Sequence, residues 1–334
     1  MKRFVGLFLG SVLIFASCKE EVKYKVYEGE VFGTYYRIQV QDPGKDLQAQ
    51  FDAVFDQINA ASNSYIQESE VSDFNNSGYL KNPSPTFLAM MDSAYRIHEL
   101  TDGYFEPTLY PLIKAWGFSF DQREQMDSLK VLGLMDLMGF EDKIIRTDSG
   151  FLAAKEGVQL DITGIGEGFA IDLLVEVVEK NQIINYMVEI GGEMRARGLN
   201  SRGVEWTVGV EDPVQAELGI TSSMLTKVMM DQKSLSSSGN YRKFYIDEQG
   251  NRRSHILDPK TGYPVSHNLV SVSVLAPSAT LADGLATAFM AMGEKKGVEL
   301  AERLPGVEAM FVLGGKEKLE LVFTSGFPQP IATE

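Results

Sequence analysis

The chain has 334 residues, enough after removal of a leader for one large domain or two ordinary ones. Its 31 basic residues face 46 acidic ones, a net charge of −15, which excludes a nucleic-acid surface and obliges any anionic ligand to find local help from a metal ion or a helix N-terminus. The single cysteine excludes an intramolecular disulfide, so the fold must rest on its hydrophobic core.

Residues 1–17 read as a lipoprotein signal peptide. Lys2 and Arg3 open it, and the apolar run from Phe4 to Ala16 has the length of a signal-peptide core and is too short to span a bilayer. Phe15-Ala16-Ser17-Cys18 resembles a bacterial lipoprotein box with Phe15 in the place of the usual Leu, which makes Cys18 the expected site of lipidation. The anchored chain is then expected to be held to a bacterial membrane without crossing it, on the periplasmic side. The leader carries no acidic residue, so the mature chain is more acidic still. Residues 18–28 are polar and read as the lipidated cysteine and a mobile tether, leaving 29–334 as the folded domain.

From Val31 to Val40 the chain is rich in β-formers and predicts a strand, and Leu47, Phe51, Val54, Phe55 and Ile58 then recur at helical spacing. Ser84-Pro85 supplies an N-cap and first residue, and Gly103 a stop, for a second helix. Past a Gly- and aromatic-rich stretch, Val158 to Ile162, the glycine loop Gly164 to Gly168, a helix to Lys180 and Tyr186 to Ile190 together predict a βαβ crossover. Runs around Trp206 to Val210, Tyr241 to Ile246 and Ser254 to Leu257 predict strands, the last two forming a hairpin at Gln249-Gly250-Asn251. A helix from Ser278 to Met292 precedes a second hairpin, Ala309 to Leu313 and Leu319 to Phe323. Strands and helices interleave without regular alternation, which predicts an α+β fold.

The helix from Ser278 to Met292 carries the most chemical information. Asp283 is its only charged side chain among small and apolar neighbours, so the helix is expected to be buried and the carboxylate to be paired, hydrogen-bonded or metal-bound. Thr287 lies one turn on, on the same face, and two hard oxygen donors there suit magnesium. A local hydrogen-bonding role for both residues is the plainer alternative.

The loop Asp161-Ile162-Thr163-Gly164-Ile165-Gly166-Glu167-Gly168 opens a helix and offers backbone N–H groups to a phosphate. With Glu189 ending the following strand, it leaves a nicotinamide dinucleotide enzyme open, although the later hairpins do not continue a Rossmann domain. His98 and His267 fit ordinary helix and turn positions, whereas His255 lies on a hairpin strand feeding the turn at Asp258-Pro259 and Thr261-Gly262, a common place for catalytic groups. The run Ser236 to Gly239 offers small hydroxyl donors for phosphate or ribose.

These pieces occur in the order of the ApbE family of flavin transferases, which the sequence resembles over nearly the whole mature chain. Gly33-Thr34-Tyr35-Tyr36, Asn63-Ser64-Tyr65 and Ser69 to Asn75 resemble its early blocks. Thr101-Asp102-Gly103-Tyr104-Phe105-Glu106-Pro107-Thr108 resembles its T-x-G-x-F-D-P-T block, with Glu106 for the usual Asp. Leu160-Asp161 with the glycine loop, Glu189-Ile190-Gly191-Gly192-Glu193, Glu211-Asp212-Pro213, Ser237 to Tyr241, Ser254 to Gly262 and Ala279 to Ala288 are similar to the later ones.

The resemblance implies a single T-fold-like domain and transfer of FMN from FAD to a threonine or serine hydroxyl of an acceptor protein, releasing AMP. It implies a Mg2+ site formed by Asp283, Thr287 and the main-chain carbonyl of Gly164. The contacts it implies to FAD come from Thr34, Tyr65, Thr101, Glu106, Asp161, Glu189, Ser238 and His255, with Tyr65 stacking on a ring and His255 moving the hydroxyl proton. The implied acceptors are flavin-bearing subunits of exported or membrane redox complexes. Hydrolysis of FAD to FMN and AMP, and flavin storage without chemistry, are the alternatives. Glu167 departs from the family pattern, in which Lys commonly stands, and Arg242, Arg253 and Lys260 are candidate compensating cations.

Overall fold

The computed structural model describes residues 23–119, 123–220, 223–230, 232–241, 244–247, 250, 252–315, 318–329 and 331; the leader, Cys18 and Arg242 lie outside them. In chain order a hairpin of β1 (Tyr24–Val31) and β2 (Thr34–Gln41) leads to α1 (Gln48–Ser62), α2 (Glu70–Ser77), β3 (Tyr79–Lys81) and α3 (Pro85–Leu100). The short helices α4 (Tyr110–Ala115), α5 (Ser128–Met135) and α6 (Phe140–Lys143) precede β4 (Ile144–Thr147) and β5 (Gly150–Ala153). Then come α7 (Gly166–Lys180), β6 (Tyr186–Ile190), β7 (Glu193–Arg197), β8 (Thr207–Glu211), α8 (Pro213–Glu217), β9 (Met224–Met229) and β10 (Ser234–Gly239). The chain closes with β11 (Phe244–Ile246), β12 (Arg252–Ser254), β13 (Leu269–Ala276), α9 (Ala279–Met292), α10 (Glu294–Arg303), β14 (Glu308–Gly314) and β15 (Leu319–Phe323).

Eight strands form the main sheet in the order β1-β2-β6-β7-β10-β13-β14-β15, and each pairing is antiparallel. The fold is α+β. One face carries α1, α3, α7, α9 and α10, packed through Phe51, Phe87, Leu174, Phe289 and Phe311. The other face is covered by the hairpin β8–β9, with Trp206, Val208 and Val228 against Met194, Leu275 and Met310. Strand β13 is therefore buried along both faces. A register shift between Leu269 and Ser271 inverts the alternation, which is why Leu269 joins Val272, Val274 and Ala276 on the helix side.

Three expectations change. The predicted strand 31–40 is two strands, because Phe32 and Gly33 turn with φ of 52° and 79°, the pair of left-handed residues that a two-residue hairpin requires. The tether is shorter than expected, since Tyr24 to Glu28 pair with Arg37 to Gln41. Only Tyr27 and Val31 of β1 are buried, so this edge strand has the polar composition of a linker. The βαβ crossover is absent. Val158, Leu160 and Ile162 are buried, but their segment joins no ladder: Leu160 N–H donates to Asn75 Oδ1 (2.6 Å), Asn75 Nδ2 donates back to Leu160 O (2.8 Å), and Asp161 N–H donates to Pro107 O (2.8 Å). Strand β6 then pairs antiparallel with β2 and β7, which removes the Rossmann reading.

Candidate active site

Helix α9 begins where the sequence places it. Ser278 accepts from Leu281 N–H (3.2 Å) as N-cap, and a second carboxylate holds the same end: Asp172 on α7 accepts from Ala279 N–H (3.0 Å), Thr280 N–H (2.9 Å) and Thr280 Oγ1 (2.7 Å), and pairs with Arg195 (3.1 Å). One turn before Asp172, Gly168 lets the two helices meet. A Cβ there would stand 2.4 Å from Ala279 O and 2.8 Å from Asp283 Cβ, so only glycine permits this approach. The expected burial of Asp283 is met, with 3% of the residue exposed.

Among the described residues, no cation acts on Asp283. Its Oδ2 accepts from Gly168 N–H (3.1 Å), so this amide of the glycine loop serves a carboxylate rather than a ligand phosphate. Carboxylate oxygens of Asp283, Glu193 and Glu167 lie within 4.8 Å of one another. Glu193, at the start of β7, accepts from Ser236 Oγ (2.7 Å) through one oxygen, and its carboxyl group is hydrogen-bonded to that of Asp283. Burial, reinforced by the charge of Glu167, pushes Glu193 up to about 8. Burial and then the charges of Glu193 and Glu167 hold Asp283 well above the usual carboxylate range. The floor of the site is thus a pair of buried acids, Asp283 and Glu193, with Glu167 beside them.

Above this floor opens a cleft of about 450 Å³. Tyr65, Glu106, Asp161, Gly164, Ser238, His255, Asp283 and Thr287 all line it, as do Glu167 and Glu193. A Cβ on Gly164 would stand 3.5 Å from Thr287 Oγ1 and 3.1 Å from the Phe105 ring, so the loop backbone is pressed close to the Thr287 hydroxyl. Oxygen donors from Asp283, Glu193, Thr287 and the Gly164 backbone have the chemistry of a divalent hard-cation site. Tyr104, Tyr110 and Phe118 add aromatic surface to the walls. Phe118 stands 6.4 Å from His255 and 5.4 Å from Tyr245 between ring centres, bringing the β11–β12 hairpin to the mouth.

Other predicted residues act at one remove. Thr101 is fully buried, and its hydroxyl donates to Ile97 O (2.7 Å) and accepts from Phe105 N–H (3.0 Å), placing Phe105 rather than touching the cleft. Thr34 packs against the Gly191 turn, and Glu189 accepts from Tyr35 Oη (2.9 Å); neither lines the cleft. Glu106 caps its own turn by accepting from Thr108 N–H (2.8 Å) and lies 3.7 Å from His98. Asp161 accepts from Thr163 N–H (2.9 Å) and Oγ1 (2.6 Å). His98 and His267 meet the carbonyls of Phe105 (2.8 Å) and Met290 (3.0 Å), fitting the structural positions expected of them.

Two of the proposed compensating cations are engaged elsewhere, and Arg242 lies outside the described residues. Arg253 pairs with Asp247 (2.8 Å), and Lys260 reaches Asp102 O and the Tyr104 ring; neither lines the cleft. Glu193 is a cleft residue that was not among the expected site residues. Its signal was Gly191-Gly192-Glu193, a tight turn delivering an acid into a strand.

Fold and cleft together define an α+β protein with a buried carboxylate floor under an aromatic-walled groove, a class suited to holding a phosphorylated aromatic ligand through a metal ion. Comparison with known proteins makes this specific. The ApbE family profile matches residues 32–311, and the chain belongs to that family. It is 32% identical over 319 residues to the FAD:protein FMN transferase of Haemophilus influenzae, covering 91% of both chains, and 32% identical over 308 residues to that of Vibrio cholerae, covering 88% and 89%. The solved flavin transferase ApbE of Vibrio cholerae superposes with a TM-score of 0.80 at 30% identity, covering 91% of this chain and 98% of that one. The apo flavinyl transferase ApbE of Pseudomonas stutzeri gives 0.80 at 28% identity, covering 91% and 95%.

Proposed function

We propose that this chain transfers the FMN half of FAD to a threonine or serine hydroxyl of an exported flavoprotein, releasing AMP. The observation that carries the reading is the pair of buried acids, Asp283 and Glu193, on the floor of a cleft large enough for a nucleotide, in a chain similar throughout to FAD:protein FMN transferases. Asp283, Thr287 and the Gly164 carbonyl would hold Mg2+, which supplies neutralisation of the charge on the non-bridging pyrophosphate oxygens. Tyr65, half-exposed at the cleft edge beside Asp161, and the aromatic walls take the flavin or adenine ring. Ser238 on β10 offers a hydroxyl to ribityl or ribose oxygens.

In the transfer, the acceptor oxygen forms a bond to the FMN phosphorus and the bond from that phosphorus to the bridging oxygen breaks. The electron pair leaves with AMP. His255 accepts the hydroxyl proton as the new bond forms. Phe118 and the hairpin fix the imidazole at the mouth of the cleft, where a protein acceptor can reach it. Lipidation of Cys18, on the periplasmic face of a bacterial membrane, would place the domain beside acceptor subunits of membrane or exported redox complexes.

The test is to incubate the chain lacking its leader with FAD, Mg2+ and a candidate acceptor, and to examine the acceptor by mass spectrometry. An added FMN on threonine or serine, with equimolar AMP, is expected. AMP and free FMN without modified protein would make the chain an FAD pyrophosphatase, and neither product would leave flavin storage.

A further inference from the structure

The short connection between Cys18 and the folded domain limits which end of the protein can face a lipid surface. Strand β1 already begins at Tyr24, and the chain from Cys18 to Lys23 spans at most about 18 Å when fully extended. Hydrogen bonds gather three other segments around this point. Asp42 N–H donates to Lys23 O (2.8 Å), Gln41 N–H to Asn185 O (2.9 Å) and Leu199 N–H to Asn185 Oδ1 (2.8 Å), while the Tyr24 hydroxyl donates to Leu199 O. Asn200 N–H donates to Val204 O (2.8 Å), and Leu199 bridges to Glu205, which closes a turn at the same end. A Cβ on Gly198 would stand 2.7 Å from Ile184 O, so Ile184 and Leu199 are near neighbours. Ile184 is 60% exposed, Leu199 45% and Val204 51%, three branched aliphatic side chains left in water beside the anchor. The cleft lies at the other end of the same strands. Strand β6 runs from Tyr186 to Ile190, and Gly191 and Glu193 beyond it line the cleft; its four steps separate the two ends by about 13 Å.

We propose that Ile184, Leu199 and Val204 rest on the lipid bilayer that holds Cys18, with the cleft opening away from it. The orientation rests on the lipidation of Cys18 proposed above and on none of the flavin chemistry. Three aliphatic side chains bind a bilayer weakly by themselves. A tether of at most about 18 Å makes the contact intramolecular, at a high effective concentration of lipid, so even a weak contact is populated. The exposed cations Lys23 and Arg202 at this end are offset by the exposed acids Asp42 and Glu205, so the contact is apolar in character and suits a zwitterionic surface, which does not repel a chain of net charge −15. Together with the proposed transfer, the orientation selects the acceptor. A threonine or serine reaches the cleft only when its own protein presents it clear of the lipid surface, on an extramembrane domain or a long loop.

Cys18 is the only cysteine and lipidation consumes its thiol, so an introduced cysteine is the one reactive thiol of the mature lipidated chain. Ser201→Cys, in the exposed turn, and Tyr35→Cys, at the cleft end where Tyr35 O accepts from Gly191 N–H (2.9 Å), are each labelled with a nitrobenzoxadiazole fluorophore. The labelled chains are reconstituted in phosphatidylcholine vesicles that carry nitroxide on a fraction of the headgroups. Quenching is expected to be about threefold stronger for the label at Ser201 than for that at Tyr35. Replacing Ile184, Leu199 and Val204 together by serine should remove most of that difference, and circular dichroism verifies the fold. Equal quenching at the two positions, or a difference that survives the triple substitution, would overturn the proposal. The mass of the mature chain is read separately. A chain without lipid on Cys18 defeats the proposed anchor and this orientation with it, whereas a lipidated chain with equal quenching defeats the orientation alone.

Discussion

Replacing Glu193 by Gln should stabilise the metal-free protein at pH 8. Burial and the charge of Glu167 push Glu193 from an ordinary value of 4.5 up to about 8. Between those two values the folded chain binds a proton that the unfolded chain has released, so stability falls as pH rises through that window. Each unit of separation is worth about 1.4 kcal/mol per proton, which sets a ceiling of about 5 kcal/mol at pH 8. Side-chain relaxation and water entering the open cleft reduce this to an expected gain of about 2 kcal/mol for the neutral amide. The amide fits its surroundings, because its oxygen can accept from Ser236 Oγ as Glu193 does now and its NH2 group can donate toward Asp283.

Urea denaturation of both proteins at pH 5 and pH 8, with EDTA or with Mg2+, measures the effect. In EDTA the native chain should lose stability from pH 5 to pH 8 and the variant should lose less. Mg2+ should restore the native chain most at pH 8, where its ligands are deprotonated. A variant less stable than native at pH 8 in EDTA, or a native chain whose response to Mg2+ is the same at both pH values, would refute the electrostatic argument.

Further outcomes follow from other parts of the site. Asp283→Asn should lower FMN transfer by about a thousandfold or more, because it removes the carboxylate nearest the loop backbone and Thr287, as followed by AMP release. Gly168→Ala should cost about 1–3 kcal/mol in urea denaturation, since its methyl group would meet the Ala279 carbonyl at 2.4 Å and must drive α7 and α9 apart; an unchanged midpoint would show that the helices yield freely. His255→Ala should reduce transfer by about a hundredfold to ten-thousandfold while FAD affinity, read from flavin fluorescence, changes little. Asp172→Ala should cost about 1–2 kcal/mol, because it uncaps α9 and leaves Arg195 without its carboxylate partner, and a thermal melt reads it.

The amino-acid sequence alone determined what depends on neighbours along the chain. The caps Ser84 and Ser278, the helical spacing of Phe51, Val54, Phe55 and Ile58, the hairpin of β14 and β15, and a lone carboxylate in the apolar helix of Asp283 are local patterns, and each appears in the structure where it was expected, whereas the strand expected at Ser254 to Leu257 lies at Arg252–Ser254. Other features depended on partners far away in the chain. Val158 to Ile162 has the composition of a strand, yet Asn75 and Pro107 take its backbone hydrogen bonds, and the expected parallel crossover gives way to antiparallel pairing. Tyr24 to Glu28 read as a tether because an edge strand buries so few of its side chains. Glu193 could not be distinguished from any surface acid, because its burial and its contact with Asp283 exist only once β7 is paired between β6 and β10 and faces α9. Electrostatic cost depends on distance in space, and three acids separated in sequence influence one another only when α7, β7 and α9 bring their oxygens within 4.8 Å.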